Sequence, residues 1–446
     1  MARTAEPMTQ GIIWKRLTLF ARPIFFGNLF QQLYNVVDSL IVGNFLGSNA
    51  LAAVSSSGNL TFMLIGFLIG ISSGAGVVMS KYFGAGDRKT MQTAIHTTVA
   101  FGLAASIVIM AAGVCFSPRL LIWMNTPESV MGESVTYLRI YFAGAFGFVM
   151  YNVFVGILQA VGDSRHPLYY LMISTLVNIM LDIILIRRFH MGVAGAAAAT
   201  VISQFLSAGL CLQQLLRTKE SYKLSLSKIG VHADMLREII RIGLPSGIQN
   251  SIISFANVVV QSQINTFGAM AMAGCGAFSK IEGFGFLPIT SFMLALTTFV
   301  GQNLGGKEYE RAKRGVRFGV VTAVILAETI GILVFILAPQ LIAAFDSTPE
   351  VVRLGTEKAR TSCLFFFLLA YSHSIAAVLR GAGKTMVSMI VMMSFWCVVR
   401  VAFLVITVPL THSIQMIYWV YPLTWALSSA AFFFYYRRAD WIHGLD

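Results

Sequence analysis

Residues 22–37 read RPIFFGNLFQQLYNVV, and residues 244–259 read LPSGIQNSIISFANVV. Laid one over the other, they bring Pro23 onto Pro245 and Asn35 onto Asn257. Working outward at an offset of about 221 residues, the correspondence continues through most of each half. FLGSNALAAV (45–54) falls on TFGAMAMAGC (266–275), and KYFGAGDRK (81–89) falls on QNLGGKEYE (302–310). NTPESV from Asn125 falls on STPEVV from Ser347, and LQAVGDSR from Leu158 on LRGAGKTM from Leu379. The second half restates the first, so whatever one half folds into, the other repeats.

What each half folds into follows from its apolar runs. A hydrocarbon core of about 30 Å takes roughly 20 apolar residues as a helix. About twelve such stretches recur, over 20–44, 55–80, 92–115, 135–160, 167–187, 193–216, 240–266, 273–301, 316–338, 358–379, 387–408 and 414–436. With 57% hydrophobic and 11% charged residues over 446 positions, the composition is that of a chain that lives in a bilayer. The expected fold is therefore an all-α membrane protein of two six-helix bundles, 1–220 and 221–446. Six spans per copy is an even number, so both copies keep one orientation, related by a pseudo-two-fold axis along the membrane normal. The polar stretch of about 217–236, with Arg217, Lys219, Lys223 and Lys228, is the expected cytoplasmic linker. By analogy with other duplicated carriers, cargo is expected in a central cavity between the bundles, released by rocking one against the other.

The net charge of +13 does not point to nucleic acid, because the basic residues follow the membrane topology. With the N-terminus inside, about 23 of the Lys and Arg fall in seven cytoplasmic groups. Arg119, Arg139, Arg187, Arg188, Arg353, Lys358 and Arg360 fall outside, and Lys280 and Arg400 fall within spans. Both termini are thus expected in the cytoplasm. The first 20 residues lack the pattern of a removable signal peptide. Cys115, Cys211, Cys275, Cys363 and Cys397 are scattered through apolar segments without metal-ligand or redox spacing, and read as packing residues.

Gly66, Gly70 and Gly74 recur every four residues along one face of the second span, a pattern that admits a close helix neighbour. Pro23 and Pro245 lie near the starts of the first and seventh spans, and Gly283, Gly285 and Pro288 are expected to interrupt the eighth. A proline inside a helix removes one backbone bond, so these three prolines are hinge candidates, with a static kink as the alternative.

Ionisable side chains in a span cost about 2.5 to 3.5 kcal/mol at mid-membrane, so each needs a reason. Gln31, Tyr34, Asn35 and Asp38 share one face of the first span, and Asn178 and Asp182, four apart, share a face of the fifth. Two carboxyls meeting in a low-dielectric pocket are suited to proton exchange, and the same oxygens with an amide and a hydroxyl are suited to sodium. Neither acid is repeated: Val260 stands opposite Asp38, and about Phe403 opposite Asp182. Ion coupling is therefore expected in the first bundle alone. The second bundle carries Lys280 and Glu282, which as an i,i+2 pair do not face each other, and Arg400 is a candidate partner for Glu282. A structural ion pair and a substrate contact are both open for these three. Glu328 is expected near the membrane interface, and His96 and His373 are weighed as proton relays against plain hydrogen-bonded helix histidines.

No phosphate loop of Walker spacing is present, since GAGDRK and GAGKT lack the required glycine-to-lysine spacing. Nor is there an acid-rich motif for magnesium and diphosphate, or a nucleophile cluster for an embedded enzyme.

Together, the twin halves, QQLYNVVDSLIVGNFLG (31–47), KYFGAGD (81–87), LQAVGDSRHPL (158–168) and NIMLDIILI (178–186) resemble the multidrug and toxic compound extrusion (MATE) family over essentially the whole chain. The resemblance is strongest to the branch whose coupling acids sit in the N-terminal half. It implies a V-shaped pair of bundles in the plasma membrane of a bacterium or archaeon. It also implies export of cationic, amphipathic drugs in exchange for protons or sodium, with no other cofactor and the single chain as the working unit. Asp38, Asn178, Asp182 and Thr200 match that branch's coupling set and would hold the ion if it is sodium. Gln31, Tyr34 and Asn152 match its cavity lining, to which the reading above adds Asn35, Lys280, Glu282 and Arg400. The seventh span departs from a branch with a C-terminal acidic site: it offers Gln249, Asn250, Asn257, Gln261 and Gln263 but no carboxylate. The rival reading is a lipid-linked oligosaccharide flippase of the wider superfamily, whose anionic cargo calls for several cavity cations.

Overall fold

The computed structural model of the chain describes residues 7–123 and 126–445, with the side chains of all but 48–49, 51–52 and 55–65. Arg3 and Asn125 lie outside the described residues. Without water to satisfy backbone N–H and C=O groups, apolar spans close their hydrogen bonds within themselves, and the described residues accordingly form helices. In chain order these are α1 (Ile13–Leu46), α2 (Ser48–Gly84), α3 (Arg88–Trp123), α4 (Glu128–Ala143), α5 (Ala145–Ala160), α6 (Arg165–Ile183), α7 (Gly192–Arg217) and α8 (Ala233–Asn265). They continue with α9 (Ala269–Gly305), α10 (Tyr309–Ala343), α11 (Pro349–Cys363), α12 (Phe366–Gly381), α13 (Thr385–Met392), α14 (Arg400–Thr411) and α15 (Gln415–Arg438). Two π-helical stretches, Ile184–Arg188 and Met393–Val399, extend α6 and join α13 to α14.

Each of the twelve expected spans lies over one helix or one joined pair. Seven helices are long and apolar enough to cross a bilayer, and nine spans result when the bent pairs α4–α5 and α11–α12 each count as one. Helices α1, α2 and α8, of 34, 37 and 33 residues, account for the other three expected positions. The bends, 49° and 55°, were not foreseen from the sequence. At the first, a Cβ on Gly144 would collide with Val201 of α7, so the break coincides with a close helix contact. The reverse correction applies to the eighth span. Gly283, Gly285 and Pro288 leave α9 unbroken from Ala269 to Gly305. The turns preceding α2 and α9 repeat the internal duplication in the backbone itself: Gly47 and Gly268 both take left-handed φ, 87° and 88°, where a side chain is strained.

The chain forms two compact units, and their division is not at residue 220. Unit 1 holds Phe26–Gly243, and unit 2 holds Met8–Phe25 together with Leu244 onward. Helices α1 and α8 therefore each contribute to both. In unit 1, Met235, Ile239 and Ile242 of α8 join a core with Val77 and Val78 of α2, Ile95 of α3 and Ile157 of α5. In unit 2, Leu17, Phe20, Ala21 and Ile24 of α1 pack with Phe292, Ala295 and Phe299 of α9. Pro23 and Pro245 lie inside α1 and α8, within three residues of these two crossing points. The glycine pattern of α2 finds its neighbour here. A Cβ on Gly74 would strike the backbone of Gly243, so only glycine at both positions allows these helices to touch.

The linker between α7 and α8, 218–232, is held against unit 1. Tyr222 and Leu224 are buried in its core. His96 of α3 bonds Gln92 O through Nδ1 at 2.6 Å, while its Nε2 accepts the Ser225 N–H at 3.1 Å. With Nδ1 held by its own helix and Nε2 fastening the linker, His96 has a structural task.

Candidate functional site

Four helices of unit 1 bring polar side chains to one place. One turn of α1 separates Tyr34 from Asp38, and one turn of α6 separates Asn178 from Asp182, so each helix presents two groups on a single face. Helix α7 contributes Thr200, whose Oγ1 lies 3.4 Å from Tyr34 Oη and donates to Ala196 O at 3.1 Å. Helix α4 contributes Tyr137, within the electrostatic reach of both acids. Val42, Ala196, Ala197 and Ile186 close an apolar wall around them. Asn178 and Asp182 are 1% and 0% exposed, while Tyr34 and Asp38 are half-buried.

The carboxyl groups of Asp38 and Asp182 stand within hydrogen-bonding reach of each other. Among the described residues no donor reaches Asp38 Oδ1, either oxygen of Asp182 or Asn178 Oδ1, and no acceptor reaches Asn178 Nδ2. Buried polar atoms in native proteins are almost always partnered, and two ionised carboxylates side by side in a low-dielectric pocket repel. A proton bridging the pair, or a cation held by their oxygens with the Asn178 carbonyl and the Thr200 hydroxyl, relieves both deficits. Immediately beyond Asp182 the helix loosens into the π stretch Ile184–Arg188, a distortion common next to functional residues.

The other expected residues are placed as follows. Gln31 and Asn35 are exposed on α1, outside this pocket. Asn152 of α5 spends its amide N–H on Phe148 O of its own helix, 2.9 Å away. Opposite Asp38, Val260 is buried among Cys275, Leu404, Ile417 and Tyr418, so the corresponding position in unit 2 is apolar. Lys280 is exposed and lies over the Phe345 ring, 5.9 Å from its centre, apart from Glu282. Arg400 is 1% exposed and donates to Thr424 Oγ1 at 2.8 Å; it makes no direct ion pair with Glu282. Glu328 accepts the Phe367 N–H at 2.9 Å, a partner across helices that gives it a capping role.

Two residues were missed. Tyr137 was overlooked because a tyrosine carries no insertion cost that demands explanation, although Tyr137 and Tyr141, four apart, mark one face of α4. Lys358 was assigned to the outer surface from its neighbours in the charge count, but it is 3% exposed inside unit 2.

The duplication and the fold have counterparts in known proteins. The MatE family model matches this chain twice, at residues 23–184 and 245–406, starting each time on the proline that opens the repeat. The chain belongs to the MatE family. It is a multi-pass membrane transport protein rather than an enzyme. Among its relatives, the Bacillus subtilis protein YoeA, named a probable multidrug resistance protein, is 29% identical over 457 residues, covering 98% of this chain and 97% of its own length. NorM of Thermotoga maritima, with the same designation, is 28% identical over 389 residues, covering 86% of this chain and 83% of its own length. Solved structures share the fold. A MATE protein in its bent conformation superposes with a TM-score of 0.91 at 23% identity over 98% of this chain and 97% of its own. A MOP superfamily transporter from Pyrococcus furiosus does so with a TM-score of 0.90 at 23% identity over 96% of each chain.

Proposed function

We propose that this MatE protein is a secondary active antiporter that exports cationic, amphipathic organic compounds, drugs among them, in exchange for protons or sodium. The reading places it in the plasma membrane of a bacterium or archaeon with both termini in the cytoplasm, working as a single chain. Asp38, Asn178, Asp182 and Thr200 capture the coupling ion. Gln31, Tyr34, Asn35 and Asn152, with Lys280 and Glu282 from the second half, serve the cargo, Arg400, buried against Thr424, takes the structural part of its two open readings, and Pro23, Pro245 and Pro288 supply the bending points. The supporting observation is the pair of neighbouring carboxyls from α1 and α6, three of whose oxygens, with both ends of the adjacent Asn178 amide, are buried and unpartnered among the described residues. The names of the curated relatives, which concern multidrug resistance, point the same way for the cargo.

The proton and sodium versions differ in what fills the pocket. A proton needs only the two carboxyls, whereas sodium seeks more oxygen ligands, which the Asn178 amide and the Thr200 hydroxyl would add. Transport of a fluorescent organic cation into proteoliposomes, under proton and sodium gradients imposed separately, decides between them. The expected result is accumulation driven by one gradient and lost in both Asp38→Asn and Asp182→Asn. Accumulation that ignores both gradients, or that survives both substitutions, overturns the assignment.

A further inference from the structure

The interior of unit 2 shows the converse deficit. Lys358 of α11 and Arg400 of α14 are 3% and 1% exposed, and both are held over the ring of Tyr421 of α15, at 5.5 and 4.7 Å from its centre. Lys358 also lies over Phe278 of α9 at 5.5 Å, and Arg400 over Trp396 of the π stretch at 4.9 Å. Aromatic faces soften the cost of burying a cation but accept no conventional hydrogen bond from it. Lys358 has three N–H donors and makes no hydrogen bond or ion pair among the described residues. Arg400 satisfies Nη2 on Thr424, yet its Nε has no acceptor. The indole N–H of Trp425, in the same aromatic cluster, also lacks one. Glu282 of α9 lies near enough to feel both cations but bonds directly to neither, and it balances only one of them.

We propose that unit 2 binds a monovalent inorganic anion of the halide class at Lys358 and Arg400. Three properties select this ligand. The uncompensated charge, two cations against one carboxylate, is +1. The walls are aromatic, so a weakly hydrated ion pays less to enter than a phosphate or sulfate, whose second charge would need donors that are not there. Near-complete burial of both cations excludes the carboxylate of a bulky cargo molecule. The loosened backbone of Met393–Val399, ending one residue before Arg400, is the local distortion that sets the guanidinium between Trp396 and Thr424. This site is independent of the coupling site proposed above and stands or falls apart from it.

Iodide quenches indole fluorescence on contact, and Trp396 lies against Arg400, so the protein carries its own reporter. The purified full-length chain in detergent is titrated with iodide at constant ionic strength, with gluconate as the replacing anion. The expected signal is a saturable quenching phase that chloride competes away, that disappears in Lys358→Met and Arg400→Gln, and that shrinks in Trp396→Phe to the share carried by Trp425 of the same cluster. The exposed Trp14, Trp123 and Trp419 contribute only a linear, collisional phase. A purely linear response in the unsubstituted protein, indifferent to chloride, overturns the proposal without reference to how the variants fold. A saturable phase that persists in folded Arg400→Gln, judged by gel filtration, overturns the site.

Discussion

The two units descend from one repeated sequence, yet the charged side chains gathered in their interiors differ in sign, acids at Asp38 and Asp182 in unit 1 and cations at Lys358 and Arg400 in unit 2. In unit 1 the unsatisfied buried atoms are mainly acceptors, the carboxylate oxygens of Asp38 and Asp182 and the amide of Asn178. In unit 2 they include donors on Arg400 and Trp425, beside an ammonium on Lys358 with no acceptor. Corresponding spans supply part of both sets: α6 and α7 carry Asp182 and Thr200, α14 and α15 carry Arg400 and Thr424. The difference teaches that duplication preserved the helices and the bends of α4–α5 and α11–α12, while the charge of what fills them was free to invert. A pocket of orphaned acceptors suits a cation, and one of orphaned donors suits an anion.

The largest test of this contrast removes the acid pair. Asp182→Asn is expected to reduce gradient-driven transport to the rate of empty liposomes while the protein still elutes as a folded species, because an amide replaces the carboxylate at almost constant volume. Next in size, Val260→Asp writes the first unit's acid into the second. Buried among Leu404, Ile417 and Tyr418, that carboxylate would have no partner, and a loss of about 3 to 5 kcal/mol in thermal or denaturant stability is expected. If Val260→Asp is tolerated, the two interiors are less different than their side chains indicate. Gly74→Ala probes the packing rather than the charge. Its Cβ would meet the Gly243 backbone, whereas unit 2 has Ala21 and Ala295 together in one core at the matching place. An overpacking cost of about 1 to 3 kcal/mol is expected for Gly74→Ala, and about 1 kcal/mol for Ala295→Gly, read from unfolding midpoints. The smallest effect belongs to Tyr34→Phe. It removes a 3.4 Å contact to Thr200, and a change under about 1 kcal/mol in stability is expected.

Much of this was legible in the sequence because it rests on periodicity. The duplication, the span positions, the shared faces of Tyr34 with Asp38 and Asn178 with Asp182, and the partner-seeking glycine of α2 all follow from spacing along one chain. What escaped depends on contacts between distant segments. The bend at Gly144 reflects Val201 of α7, and nothing within the fourth span announces it. Lys358 was placed outside because flanking Arg353 and Arg360 are charged, but helical rotation turns it to Phe278 and Tyr421. The π stretches have no composition of their own. The exchange of segments between units is likewise invisible, since the linker at 217–236 is where a reader of sequence expects one body to end.

That exchange bears on how the protein can be divided. Cutting the chain within 218–232 leaves the opening turns of α8, which finish the core of unit 1, attached to the other fragment, and leaves Met8–Phe25, which finishes unit 2, on the first. Each piece would carry a plug made for its sibling. Co-expressed halves should therefore rescue one another, and neither should accumulate when made alone.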